Sequence, residues 1–203
     1  MKAIVEGTTF PFTIPQGFRI TPEQFEQLAE AEQLARLELT ASGELVVMSP
    51  TGGEAGSRNF NLYLDLGNWN RQTKLGIAFD SSTIFSLPNG ARRSPDVSWI
   101  KLERWSALTI REKQGFSPIV PDFVIELVSP SDLQTQRYRD LQDKMQEYLD
   151  NGVKLGWLIE PSAKTVEIYR AGEQVEILTN PQTLSGEDIL PGFTLDLAEI
   201  FTN

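Results

Sequence analysis

Two carboxylates and one lysine are the side chains of this sequence best placed to do chemistry. Glu126 stands inside Phe123-Val124-Ile125-Glu126-Leu127-Val128, a nearly continuous apolar run of the kind that forms a strand covered on both faces. An unpaired carboxylate buried there costs several kcal/mol even after relaxation. A cation, a metal ion or a proton must offset that cost. Asp96 follows Pro95 at the start of another strand, where alternation sends Asp96, Ser98 and Ile100 to one face and Val97 and Trp99 to the other. Lys144 flanks the helical stripe Tyr138, Leu141, Met145 and Tyr148, so its ammonium can reach over a sheet. Two strand-borne carboxylates with a lysine make a site for a hard divalent cation and an activated water.

What the chain lacks narrows the chemistry further. It has no histidine and no cysteine, which rules out Ser-His-Asp and Cys-His machinery, imidazole zinc sites, thiolate sites and disulfides. A metal must be held by oxygen, which favours magnesium, manganese or calcium. Proton transfer falls to carboxylates, lysine, tyrosine or metal-bound water. Ser129 and Ser131 are then turn and capping residues, not nucleophiles. Eighteen basic against 28 acidic residues give a net charge of −10, which argues against non-specific nucleic-acid binding but is compatible with a local basic groove. The 203 residues suit one domain over 1–203. No apolar run approaches the roughly 20 residues of a membrane span, and Met1 to Glu6 lacks a signal-peptide core. A cysteine-free chain fits a reducing cytoplasm.

The elements that must position these groups are legible from periodicity and caps. Thr21 as N-cap, Pro22 in the first turn and Gln24 closing a capping box predict a helix with Phe25, Leu28, Ala29 and Leu34 inward. Leu37-Glu38-Leu39 and Leu45 to Met48 predict a hairpin. A second helix spans roughly Ala55 to Lys74, with Phe60, Leu62, Tyr63, Leu66 and Trp69 on its buried side. Strands are expected at Gly76 to Asp80, Ile84 to Leu87, Asp96 to Ile100 and Val120 to Val128, with a turn at Pro88-Asn89-Gly90. A third helix starts at N-cap Ser131 with Gln134 completing a capping box, and runs to about Asp150, where Gly152 suits a left-handed C-terminal cap. Lys154 to Glu160, Thr165 to Tyr169 and Gln174 to Leu178 form a meander. The whole is a mixed α/β fold.

In order, Pro95-Asp96, Glu126 in Ile-Glu-Leu-Val-Ser-Pro-Ser, Asp140 with Lys144, and Gly152-Val153-Lys154-Leu155-Gly156-Trp157-Leu158-Ile159-Glu160-Pro161 resemble the Uma-two family. These are restriction-endonuclease-like proteins of the PD-(D/E)XK nuclease superfamily, abundant in cyanobacteria. The likeness runs from Thr21 to about Tyr169. It implies a restriction-endonuclease-like core, a central mixed sheet flanked by helices, with Asp96 and Glu126 as ligands of Mg²⁺ (or Mn²⁺). The superfamily pattern places a lysine two residues after Glu126, where this chain has Val128. The resemblance implies that Lys144 supplies the ammonium from the helix instead, and that Glu54 corresponds to an extra acid of some members. DNA is the implied substrate and a homodimer the implied assembly, with no membrane partner. Arg92, Arg93, Arg137 and Arg139 lie near the site in sequence and are candidate phosphate contacts.

Each residue also has a plainer reading. Glu126 and Lys144 can form a buried ion pair with no metal, Lys144 can pair with Asp140 on an exposed face, and Glu54 can be a helix N-terminal acid. Arg92 and Arg93 read as solvated, and Trp157 and Tyr169 as core or dimer surface. The residues taken with the resemblance thus favour a Mg-dependent DNA endonuclease using a metal-activated water. The alternative is a non-catalytic binding or regulatory protein on the same fold.

Overall fold

Local chemistry sets the first helix of the computed structural model, which describes residues 18–31, 36–48, 51–133 and 135–202. Gln24 N donates to Thr21 Oγ1 at 3.2 Å and Thr21 N donates to Gln24 Oε1 at 2.9 Å, so the predicted capping box satisfies two otherwise orphaned donors. It opens α1 (Pro22–Ala31), which buries Phe25. Leu34 lies outside the described residues. The hairpin follows as β1 (Arg36–Leu39) and β2 (Leu45–Met48), antiparallel with Glu38 opposite Val46.

Helix α2 (Gly53–Thr73) ends on Lys74 in the left-handed region. It buries Ala55, Asn59, Leu62 and Leu66 at helical spacing. Phe60 was expected on that side but is 62 % exposed. It lies two residues from Leu62, and residues two apart do not share a helix face. Next come β3 (Gly76–Asp80), β4 (Phe85–Ser86), β5 (Arg92–Arg93) and β6 (Val97–Lys101). Two short helices, α3 (Leu102–Ser106) and α4 (Ile110–Gln114), were not foreseen.

Strand β7 (Phe123–Leu127) is buried at every position. The expected helix start at Ser131 is displaced: Pro130–Leu133 is a 3-10 turn, and α5 (Thr135–Asp150) begins after it. Ser129 N and Oγ both donate to Asp132, a local bond that winds this segment tighter than an α-helix. The other half of the expected box, Gln134, lies outside the described residues. Gly152 carries the helix end at φ 113°, as its cap role requires. Then follow β8 (Leu155–Glu160), β9 (Thr165–Arg170), β10 (Glu176–Thr179), β11 (Thr183–Ser185), β12 (Thr194–Asp196) and α6 (Ala198–Phe201).

Six strands form one mixed sheet in the order β10-β9-β8-β7-β6-β3, in which β7 and β8 run parallel and the other pairs antiparallel. Helix α5 is the crossover that a parallel pair demands. A smaller sheet has the order β2-β1-β5-β4. One face of the large sheet, with Phe123, Ile125, Leu127, Trp157 and Ile159, packs on Leu62 and Leu66 of α2 and on the C-terminal segment. The other, with Val124, Val128 and Leu158, packs on Met145 and Tyr148 of α5. At Gly76 the backbone of β3 passes so close to β6 that a Cβ would sit 2.3 Å from Ile100 O and from the Trp99 ring. Among the described residues, no helix is long and apolar enough to cross a membrane.

Candidate active site

Strand register brings the two acids together. Val97 pairs with Ile125 and Ser98 with Val124, so the next position along sets Asp96 opposite Glu126. Side chains of directly opposed residues share a face and start about 5 Å apart. Asp96 Oδ2 accepts a hydrogen bond from Leu127 N at 2.9 Å, which fixes the aspartate against β7. Both acids fall on the face covered by α5, as the alternation of β6 and β7 requires.

Helix α5 is tied down over them by polar contacts as well as by its apolar stripe. Tyr138 OH and Gln142 Nε2 each donate to Glu167 Oε1 of β9 at 2.8 Å. Tyr148 OH donates to Glu126 Oε1 at 2.9 Å. Lys144 is buried, with Nζ 2.8 Å from Glu126 Oε1. Asp140, its plainer candidate partner, instead accepts from Gln136 at 2.8 Å. The structure therefore gathers Asp96, Glu126 and Lys144 in one place.

It also adds a residue that the sequence reading did not single out. Glu38 of β1 is buried, and its Oε1 lies 2.9 Å from Lys144 Nζ. The same oxygen accepts from Ser94 N at 2.8 Å, while Oε2 lies 3.1 Å from Arg93 Nη1. Arg93 Nε in turn donates to Glu147 Oε2 at 2.6 Å, and Asn89 Nδ2 donates to Glu147 Oε1 at 3.0 Å. Glu126, Lys144, Glu38, Arg93 and Glu147 thus form a chain of alternating charge across β7, α5, β1 and β5. A signal for Glu38 existed, because it too is an acid flanked by leucines. A hairpin with one wet face explains that pattern equally well, and burial on both faces appears only in the tertiary structure.

The charges in this cluster do not balance. Asp96, Glu126, Glu38 and Glu147 face Lys144 and Arg93, and Arg36 also acts on Asp96, so four carboxylates against three cations leave one negative charge. Burial pushes Glu38 up, but Lys144, Arg93 and the Ser94 amide outweigh it and hold its carboxyl below the ordinary range. Burial likewise pushes Glu126 up, Lys144 pulls it back, and repulsion from Asp96 and Glu38 adds to the rise. The result is about 7. Burial also raises Asp96, with repulsion from Glu38 adding to it, against the Leu127 amide and the attraction of Lys144 and Arg36. Lys144 itself is raised, since Glu126 and Glu38 overcome its desolvation. Lys144 contacts both acids, but Glu38 also has Arg93 and the Ser94 amide, so of the two it is the better compensated.

The surplus of acids over cations favours a bound cation here. The protein hydrogen bonds engage Asp96 Oδ2 and Glu126 Oε1, so Asp96 Oδ1 and Glu126 Oε2 take no protein donor among the described residues. No group of three or more acids close enough to ligate one ion is found among those residues. Two carboxylates still suffice for magnesium, which is commonly held by one or two of them with waters and substrate phosphate oxygens. The donor set therefore fits an oxygen-coordinated divalent ion.

The remaining candidates lie apart from this cluster. Glu54 Oε1 pairs with Arg58 Nη2 at 2.6 Å, and Arg58 Nε donates to Ile200 O at 2.8 Å; neither touches Asp96, Glu126 or Lys144. Arg93, expected to be solvated and free to meet phosphate, is instead buried between Glu38 and Glu147, because two carboxylates compensate its desolvation. Arg92 is half-buried, with Nη2 3.1 Å from Glu26 Oε1. Arg137 and Arg139 are exposed on α5, where Arg139 borders a cavity of about 300 Å³ with Tyr138, Gln142 and Glu160. Trp157 and Tyr169 are both core residues.

Comparison with known proteins agrees with this architecture. The chain is similar to the crystal structure, at 1.96 Å resolution, of a putative nuclease belonging to DUF820 from Anabaena variabilis. The two share 23 % identity with a TM-score of 0.72, over 90 % of this chain and 97 % of that one. This likeness carries the fold, a central mixed sheet flanked by helices. No curated protein matches the chain. The sequence model of the Uma2 family, described as putative restriction endonuclease, matches residues 22–198, a span that contains Glu38, Asp96, Glu126 and Lys144. By that match the chain belongs to the Uma2 family.

Proposed function

We propose that this protein is a divalent-metal-dependent endonuclease that hydrolyses phosphodiester bonds in DNA. The single observation that carries the reading is the meeting of Asp96 and Glu126 on one sheet face, with the Lys144 ammonium 2.8 Å from Glu126. Asp96 and Glu126 would hold Mg²⁺ or Mn²⁺. Such an ion, when bound, polarises a phosphodiester oxygen and acidifies a coordinated water. Tyr148 keeps Glu126 oriented through its hydroxyl. Lys144 offers a fixed positive charge against the negative charge that develops on the phosphate. Arg137 and Arg139, exposed on the helix that carries Lys144, are the remaining candidate phosphate contacts.

One observation favours a second reading, a binding or regulatory protein on the nuclease fold. Lys144 is already saturated by two carboxylates, and Val128, at the position where the superfamily carries its lysine, is packed into the apolar layer under α5. Titration calorimetry with Mg²⁺ and Mn²⁺ separates the two readings, alongside plasmid nicking by wild type and Glu126→Ala. The nuclease reading expects metal-dependent nicking and metal affinity, both lost in the variant. Metal affinity equal in both proteins, with no nicking in either, favours the binding protein.

A further inference from the structure

We infer that Glu38 is the positioning residue of Lys144, holding the ammonium from the small sheet so that Glu126 is available to a cation. The consequence for catalysis rests on the nuclease reading above; the anchoring itself rests on geometry alone. Lys144 Nζ touches both acids at nearly equal distances, 2.9 Å to Glu38 and 2.8 Å to Glu126. The two acids differ in how they are held. Glu126 receives the Tyr148 hydroxyl in addition to Lys144. Glu38 receives the Ser94 amide on one oxygen and the Arg93 guanidinium on the other. It therefore has two cations for one carboxylate and stays charged and in place when Lys144 is the only mobile partner.

The hold closes on itself. Glu147 lies one helical turn beyond Lys144 and grips Arg93 at 2.6 Å, Arg93 grips Glu38, and Glu38 grips Lys144. The ammonium and its anchor are thus fixed to the same helix through β1 and β5. A lysine needs such a device here because its four-carbon stem carries about 2 kcal/mol of rotamer freedom. An unanchored ammonium would settle on whichever anion approached most closely. Glu38 keeps it in one position whether Glu126 is paired or taken by a metal. This gives the hairpin, which contributes nothing to the large sheet, a defined part in the site.

The test combines a chemical readout on Lys144 with kinetics. In the metal-free protein, acylation by acetic anhydride is followed at each lysine by peptide mass spectrometry, with exposed Lys101 as the internal reference. Glu38→Gln is expected to raise the Lys144 rate several-fold relative to Lys101, because the amine becomes both freer and less firmly protonated. Glu38→Asp keeps the charge beside Arg93 and shortens the reach to Lys144, so it should move the rate in the same direction if Glu38→Gln fails to fold. In plasmid nicking, Glu38→Gln should lower kcat by roughly 10- to 100-fold with KM for DNA little changed, the pattern of a misplaced group, and should weaken Mg²⁺ binding because the freed ammonium settles on Glu126. It should add nothing in a Lys144→Ala background. An unchanged Lys144 acylation rate in folded variants overturns the inference, as does a loss of kcat that persists without Lys144. If wild type does not nick but Lys144 acylation rises, the nuclease reading fails and the anchoring stands.

Discussion

Glu126→Gln, studied without metal, distinguishes an acid in need of a cation from one already satisfied by Lys144. Burial, with repulsion from Asp96 and Glu38, carries the Glu126 carboxyl from an ordinary 4.5 to about 7, against the pull of Lys144. Over that interval the folded chain holds a proton that the unfolded chain has released. The stability this proton contributes is complete below about pH 4.5, declines as the pH rises towards 7, and is absent above it. At about 1.4 kcal/mol per pH unit, the loss by about pH 8 is roughly 3 kcal/mol. Glutamine keeps the shape and one carbonyl acceptor for Tyr148 and Lys144, and it stays neutral, so it imitates the protonated acid at every pH.

The variant is therefore expected to be more stable than wild type by up to roughly 3 kcal/mol at about pH 8, or roughly 6–12 °C in Tm for a chain of this size. The advantage should shrink as the pH falls towards 4.5, the ordinary value for the group. Differential scanning calorimetry in EDTA, with both proteins across this range, reads it directly. If Glu126→Gln melts below wild type at about pH 8, Glu126 and Lys144 are a net stabilising pair and the carboxylate calls for no further cation. An advantage independent of pH would mean that the gain comes from packing and not from charge.

The other perturbations bear on neighbouring contacts. Asp96→Asn should weaken Mg²⁺ binding in calorimetry and reduce metal-dependent nicking; unchanged nicking removes Asp96 from the site. Lys144→Ala strips Glu126 of its cation and Glu38 of one of two, so urea unfolding should show a loss of about 3–5 kcal/mol, and nicking should slow more than metal binding weakens. Saturating Mg²⁺ should raise the Tm of wild type well above its shift in Glu126→Gln, since a ligand stabilises only the state that binds it. Gly76→Ala, which forces a Cβ against Ile100 O and the Trp99 ring, should cost about 3 kcal/mol or more in urea unfolding.

Much of this arrangement is written in local patterns, and the rest is not, for identifiable reasons. The capping box at Thr21, the alternation of β6, the apolar run of β7 and the inward stripe of α5 are short-range signals, and each survives in the fold. They were enough to name Asp96, Glu126 and Lys144 as neighbours. Strands β5 and β11 have two and three residues, too few for a period to show. Arg93 looked like a surface cation because nothing in its own neighbourhood says that Glu38 and Glu147, 55 and 54 positions away, will enclose it. Glu38 was hidden by its own strand, since an acid between two leucines is what a half-wet hairpin also requires.

The same geometry gives a physical reason for the place of the lysine in this chain. Val128 directly follows β7 and still bonds through its N–H to Ile159 O of β8, so positions 126 and 128 share a face, and a lysine at 128 would rise beside Glu126 from the end of the strand and need no external anchor. Val128 instead completes the apolar layer beneath α5 together with Val124, Leu158 and Met145. The ammonium then has to come from above, on α5, where a long stem leaves its tip undetermined. Fixing that tip takes an acid on a separate element, and a cation to keep that acid charged. Glu38 and Arg93 are those two groups, and Glu147 returns the chain of contacts to α5. If Lys144 is the reacting ammonium, as proposed, its place on α5 is coupled to three further charged residues, Glu38, Arg93 and Glu147.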